Sequence, residues 1–332
     1  MSALIDTSNA RANIAYVGET PWHESGQQLT KGATIQEWTT QAGLSHTVKE
    51  AKVEFFNSAT GLLGKYPERK VLYRSDTGAP LSVVGDRYKV VQPGEILEFF
   101  RDLTEAGGFE LETAGSLKGG QVVWALAKVG DGADVVDGDH VSPYLLLATG
   151  YGGDLATTAK FTGVRVVCWN TISMALQSYE ERAAGAKRVT SVKVHHGKSF
   201  DAQAVKKELG ISITAWQTFL AESRRLANKP INAKTVDELT YELVEPLLTV
   251  KPDAPLPDVR LSKPYNRILQ LFNGDAIGSD VAGGPNAWAW LNAVTQLVDH
   301  ERGRNSDTRM NSAWFGQGDG IKSRALDLAL AA

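Results

Sequence analysis

The sequence predicts an α+β protein, with a mainly antiparallel sheet domain built on a strand-strand-strand-helix core and a helical C-terminal region after it. Two observations carry that expectation. Between Thr47 and Lys193, short apolar/polar alternations are punctuated by glycine-containing turns, the pattern of half-buried antiparallel strands. After Ser199 the apolar spacing lengthens to three and four residues, as in helices that bury one face. The 332 residues are 42% hydrophobic and 22% charged with a net charge of −3, which sets aside wholesale disorder and collagen-like architecture. Three regions are expected: an N-terminal arm over 1–32, an antiparallel core domain over 33–198, and a helical region over 199–332 with a proline-rich connector at 251–257.

Each element has a local reason. Residues 1–32 show turn residues and isolated aromatics without sustained periodicity, so they read as an arm or loop laid over the main domain. Thr34 followed by Glu37 is a capping box and opens a helix through about Ala42. Thr47 to Phe55 alternates, and Arg69–Arg74 and Leu81–Val91 flank the turn Ser75-Asp76-Thr77-Gly78 as a hairpin does. Pro93 suits a first helical turn, and Ile96, Leu97, Phe99, Phe100 and Leu103 give that helix its apolar face before Gly107-Gly108.

Phe109–Leu117 and Gln121–Val129, joined by Lys118-Gly119-Gly120, form the clearest hairpin of the chain. Strands are then expected at Tyr144–Thr149, Leu155–Phe161 and Val164–Cys168, with Thr162-Gly163 as a break and a helix capped by Asn170 or Thr171. Further helices are expected from Asp201 to about Asn228, from Lys234 to Leu248, and from about Asn286 to His300. Three prolines within 251–257 exclude helix or central strand there.

The same residues exclude several chemistries. Cys168 is the single cysteine, so an intramolecular disulfide framework is ruled out and a reducing cytoplasm is expected. Neither a signal-peptide core nor an apolar run of ~18 residues occurs, so export by the usual route and membrane insertion are not expected. Gly197-Lys198-Ser199 lacks the upstream glycine of a phosphate loop, since position 192 is Val. The acidic run Asp131, Asp134, Asp137 and Asp139 lacks the terminal glutamate of a calcium loop and reads as a solvated turn. No catalytic residue, metal ligand or cofactor is expected, and an enzyme is the third-ranked class.

Charge is distributed unevenly. From Arg182 to Lys229 ten cations face three carboxylates, a net of +7, while the rest of the chain is acidic. Polarised charge of this kind is expected of a protein that holds a phosphate backbone on one face; a solvated helical face is the plainer alternative. A second basic set has Arg87 and Lys89 around Tyr88, and Lys160 and Arg165 around Phe161. Cations beside rings are what single-strand binding uses, the charge for phosphate and the ring for a base, although aromatics in alternating strands also serve as core. The expected nucleic-acid contacts are therefore Arg87, Lys89, Lys160, Arg165, Lys187, Arg188, Lys193 and Lys198.

Five separated stretches resemble one family: Pro21-Trp22-His23-Glu24, Asp86-Arg87-Tyr88-Lys89, Ala114-Gly115-Ser116-Leu117-Lys118-Gly119-Gly120, Val164 to Thr171, and the ending that holds Asp299-His300 and Phe315-Gly316. Their order and content are similar to the phage/plasmid-like protein family, domain of unknown function family 932. The resemblance implies a mobile-element origin and a bacterial cytoplasm, and records no established activity. The strand-strand-strand-helix order from Tyr144 is also similar to the core of Rad-type single-strand annealing proteins, which form rings; fold analogy is a weak warrant for function. The leading expectation is single-stranded DNA binding by a homo-oligomer, with annealing in recombination or replication as a candidate activity and a ring as a candidate form. The alternative is an interaction factor, for anti-defence or mobile-element maintenance, that binds a host protein.

Overall fold

The structure is a computed structural model that describes residues 5–8, 10–18, 26–105, 108–165, 167, 170–173, 191–208, 213–248, 258–303 and 306–332. The chain is α+β, with antiparallel pairing predominant and most helices in the C-terminal half. It divides into two compact units that interleave along the sequence: residues 1–130, 144–160 and 191–211, and residues 131–143, 161–190 and 212–332.

The first unit holds two sheets. Strands β1 (Ile14–Val17) and β2 (Gln27–Leu29) pair in parallel, and β1 also pairs antiparallel with β6 (Phe109–Leu117). The opening stretch is thus partly strand, which an aperiodic four-residue segment cannot announce. From β6 the order continues through β7 (Val122–Val129), β9 (His140–Gly150) and β10 (Thr157–Arg165), with β12 (Val192–Val194) paired to β10. The β6–β7 turn forms where expected because Lys118, Gly119 and Gly120 all take positive φ, at 53°, 64° and 94°; two glycines remove most of the steric cost. Residues 122–127 and 144–150 are buried on both faces, so these strands read as near-continuous apolar runs.

The second sheet has the order β3 (Val48–Asn57), β4 (Leu62–Arg74), β5 (Pro80–Gly85). Helix α1 (Ile35–Gln41) carries both halves of the expected capping box, with the Thr34 N–H donating to Glu37 Oε2 at 2.7 Å and the Glu37 N–H to Thr34 Oγ1 at 3.2 Å. Helix α2 (Pro93–Glu105) buries Ile96, Leu97, Phe99, Phe100 and Leu103, the predicted face. The short α3 (Ala202–Glu208) closes this unit.

In the second unit, β8 (Ala133–Asp134) pairs with the start of β9, and the end of β10 pairs with β11 (Asn170–Ser173). Two expectations are corrected here. Thr162-Gly163 does not break a strand: β10 runs through it, and a Cβ on Gly163 would lie 2.7 Å from the Phe219 ring, so the glycine admits a close neighbour. Asn170–Ser173 is a strand and not a helix start, since Thr171 and Ile172 face Val164 and Gly163 across the ladder. The residues assigned to the following helix, and the proline-rich connector, lie outside the described residues.

Helices α4 (Ile213–Ala227), α5 (Ala233–Val244), α6 (Lys263–Gln270) and α7 (Ala287–Gln296) follow. Asn232 and Asn286 cap α5 and α7 by accepting from the Thr235 and Ala289 N–H groups. Asp201 to Asn228, read as one helix, is α3 and α4. Helices α8 (Ser306–Phe315) and α9 (Gln317–Ala331) follow α7 within the expected helical region; like α6 they are not singled out in the sequence, and the weakly amphipathic, Ala- and Ser-containing runs of α8 and α9 give no clear periodic signal.

Candidate functional site

Six of the eight predicted cations lie among the described residues, four of them exposed and two buried. In the first unit β12 pairs antiparallel with β10, setting Lys193 opposite Thr158 with its side chain in solvent. The chain then turns at His195–Lys198, closed by a bond from the Lys198 N–H to His195 O. This turn docks on a segment more than a hundred residues earlier. The Lys89 N–H donates to His196 O at 2.5 Å, His196 Nδ1 lies 3.1 Å from Lys89 O, and His196 Nε2 lies 3.1 Å from Leu155 O. The Tyr88 ring stacks on the His196 imidazole with centroids 4.2 Å apart and planes inclined by 17°.

That junction brings two sequence-distant basic segments together. Arg87, Lys89 and Lys198 are all exposed beside it, with His195, and exposed Lys193 lies on the adjoining strand. Asp86 and Asp154 are exposed on the same part of the unit, so the edge is cationic but not purely so. Tyr88 itself is committed to the fold, because its hydroxyl donates to Gly150 O at 2.6 Å. Burial, with Asp154 nearby, pushes its phenol well above the ordinary value.

Two other predicted contacts, Lys160 and Arg165, are corrected by burial. Lys160 is 3% and Arg165 2% exposed, and Phe161, the ring expected to stack on a base, is 3% exposed. In the second unit Arg165 donates from Nε to Asp139 Oδ1 at 2.5 Å, from Nη1 to Ile277 O at 3.2 Å and from Nη2 to Gly278 O at 2.7 Å. The other Asp139 oxygen accepts from Trp288 Nε1 at 2.8 Å. Asp139 is fully buried, so the acidic run is not wholly the solvated turn the sequence suggests: its last carboxylate neutralises an interior arginine. Lys187 and Arg188 lie outside the described residues.

Sequence reasoning also missed a second interior cation. Lys322 is 1% exposed and donates to Asp299 Oδ1 and to Thr171 Oγ1, both at 2.7 Å, while the Thr171 N–H donates to Asp299 Oδ2 at 2.7 Å. The one available signal was Asp299 itself, a carboxylate directly after the apolar run Leu297-Val298. The first unit has a comparable centre. Asp6 and Asp76 both accept from Arg74, which is fully buried, and Asp6 also accepts from Asn13 Nδ2 at 2.8 Å and Ser116 Oγ at 2.9 Å. Burial works against the charge on Asp6, but the Ser8 N–H, the Asn13 amide and Arg74 outweigh it and lower its pKa to about 2.

A cavity of about 410 Å³ in the second unit has Arg165, Asn273, Ser279 and Asp280 among its lining residues. Among the described residues no group of three or more His, Cys, Asp or Glu could hold a metal ion, and no helix is long and apolar enough to cross a membrane.

An α+β fold with a docked cationic turn defines a class by architecture alone. Residues 80–314 match the model of the family described as Domain of unknown function (DUF932), and the chain belongs to that family. No curated protein and no solved structure matches the chain.

Proposed function

We propose that this chain is a phage- or plasmid-encoded protein that binds single-stranded nucleic acid in the cytoplasm through the exposed edge carrying Arg87, Lys89, Lys193 and Lys198. The observation that supports this reading is the docking of the His195–Lys198 turn on Lys89, which puts cations from two distant segments beside one another. With Tyr88 stacked on His196 and Phe161 buried, neither ring is free to stack on a base. Binding therefore rests on phosphate neutralisation and carries little sequence preference. DNA recombination, with annealing of complementary strands, is the activity such an edge would serve.

Titration with a single-stranded oligonucleotide over a range of salt tests the reading. Log affinity should fall linearly with log salt by ~0.7 per contacted phosphate, and Lys89→Ala with Lys198→Ala should flatten that slope by ~1.4. Absence of binding at low salt ends the proposal, and an unchanged slope in the double variant removes this edge from it.

A second reading, an interaction factor that binds a host protein, is favoured by a different observation. The β3–β4 hairpin exposes Phe55, Phe56, Leu62, Leu63 and Tyr66, and clustered exposed apolar side chains mark association surfaces. Stoichiometric recovery of one host protein after nuclease treatment is the result that would favour it.

A further inference from the structure

The β3–β4 hairpin has an open edge as well as exposed apolar residues. Among the described residues β3 pairs only with β4 in its three-stranded sheet, so the other side of β3 presents backbone donors and acceptors that a further strand could use. The chain itself caps the beginning of that edge. Gln92 acts as a substitute strand: its Oε1 accepts from the Val48 N–H at 2.8 Å and its Nε2 donates to Val48 O at 3.1 Å. On the opposite side Thr47 O accepts from the Ser75 N–H of the hairpin partner.

Those bonds fix the phase of the strand. Val48 turns its backbone groups outward, so Glu50, Lys52, Glu54 and Phe56 do the same by the two-residue period. The extra residues at the register shift belong to β4, since Lys52 pairs with Lys70 and Val53 with Tyr66; β3 itself stays regular.

We propose that a second copy of this chain pairs with the open edge, β3 against β3 in antiparallel register about a two-fold axis at Val53. Among the registers that match outward-facing groups, this one sets each Lys52 opposite Glu54 of the second copy, two opposite-charge pairs. Moving the axis by one residue either way sets Lys52 against Lys52 or Glu54 against Glu54. Moving it to Ala51 restores opposite charges at Lys52 and Glu50, but brings Glu54 against Val48, whose outward groups Gln92 already holds, and Glu50 is already paired with Lys70 at 2.8 Å. At the chosen register Phe55 lies across from Ala51 and Val53 from Val53, so exposed apolar surface is covered by the contact. A two-fold interface of this kind is self-complementary and closes at a dimer. The inference does not depend on nucleic-acid binding.

Light scattering on the full chain as a function of concentration reads the assembly. The wild type should give twice the mass of one chain. Glu54→Lys turns both attractive pairs repulsive and should weaken the dimer about tenfold or more, while Lys52→Glu combined with Glu54→Lys should restore it. Val53→Cys should form an inter-chain disulfide on mild oxidation, because directly opposed non-hydrogen-bonded residues have Cα atoms about 4.5 Å apart; the wild type, with Cys168 alone, is the control. A wild-type monomer up to the solubility limit overturns the proposal. So does an assembly that Glu54→Lys leaves intact, or a charge exchange that fails to rescue.

Discussion

Arg165 and Lys89 are both cations close in sequence to an aromatic residue, and the fold treats them oppositely. In the second unit Arg165 is enclosed, with a carboxylate and two carbonyls taking its donors. In the first unit Lys89 contributes its backbone to a junction with His196 and leaves its ammonium in solvent. A charge count gives both the same weight. What separates them is the partner: Asp139 makes Arg165 a part of the interior, and among the described residues no carboxylate is paired with Lys89. The expected effects of mutation therefore diverge, and substitutions at three places probe the divergence in order of size.

The largest effect belongs to the interior. Asp139→Ala removes the buried carboxylate that accepts from Arg165 Nε and from Trp288 Nε1, and the expected loss is about 3–5 kcal/mol in urea unfolding. Replacing both charges, Arg165→Met with Asp139→Leu, should cost far less, because the charges then no longer have to be desolvated. A loss below about 1 kcal/mol in the single variant would mean that the pair behaves as an exposed one and would return Arg165 to the candidate contacts.

A smaller effect, resolved by pH, belongs to Asp6. Its folded-state pKa of about 2 lies below the ordinary value of 3.8, so the unfolded chain takes up the proton first as acid is added. The stabilisation, about 2 kcal/mol, is complete above that ordinary value and is lost as pH falls from 3.8 through about 2. Asp6→Asn should lower stability at neutral pH and flatten the acid limb of the stability curve between those values. A variant whose acid limb matches the wild type would show that Arg74 is held by Asp76 alone.

The legible part of the fold was the part with local causes. The capping box at Thr34 and Glu37, the glycines of the β6–β7 turn and the apolar face of α2 act within a few residues, and each forms as expected. Where a distant neighbour decides, the sequence is silent or misleading. Gly163 reads as a break until Phe219 is seen against it. Asn170 reads as a cap until its strand is seen paired with β10. The candidate site divides along the same line: cation-rich segments can be counted in sequence, but Asp139 and Arg165 are 26 residues apart and Lys89 and His196 are 107 apart. No periodicity shows which cation is sequestered and which is brought to the edge.

The smallest expected change in stability is also the sharpest test of the exposed set. Lys193 lies on a three-residue strand, opposite Thr158 and exposed to water. Removing its ammonium breaks no bond among the described residues, so Lys193→Ala should move stability by no more than about 0.5 kcal/mol. If Lys193 stands on the track that neutralises phosphate, the same substitution should lower the salt slope of single-strand binding by ~0.7. A stable variant with an unchanged slope would confine the binding edge to the Lys89–Lys198 junction, whereas a strongly destabilised one would place Lys193 with Arg165 among the cations that hold the fold.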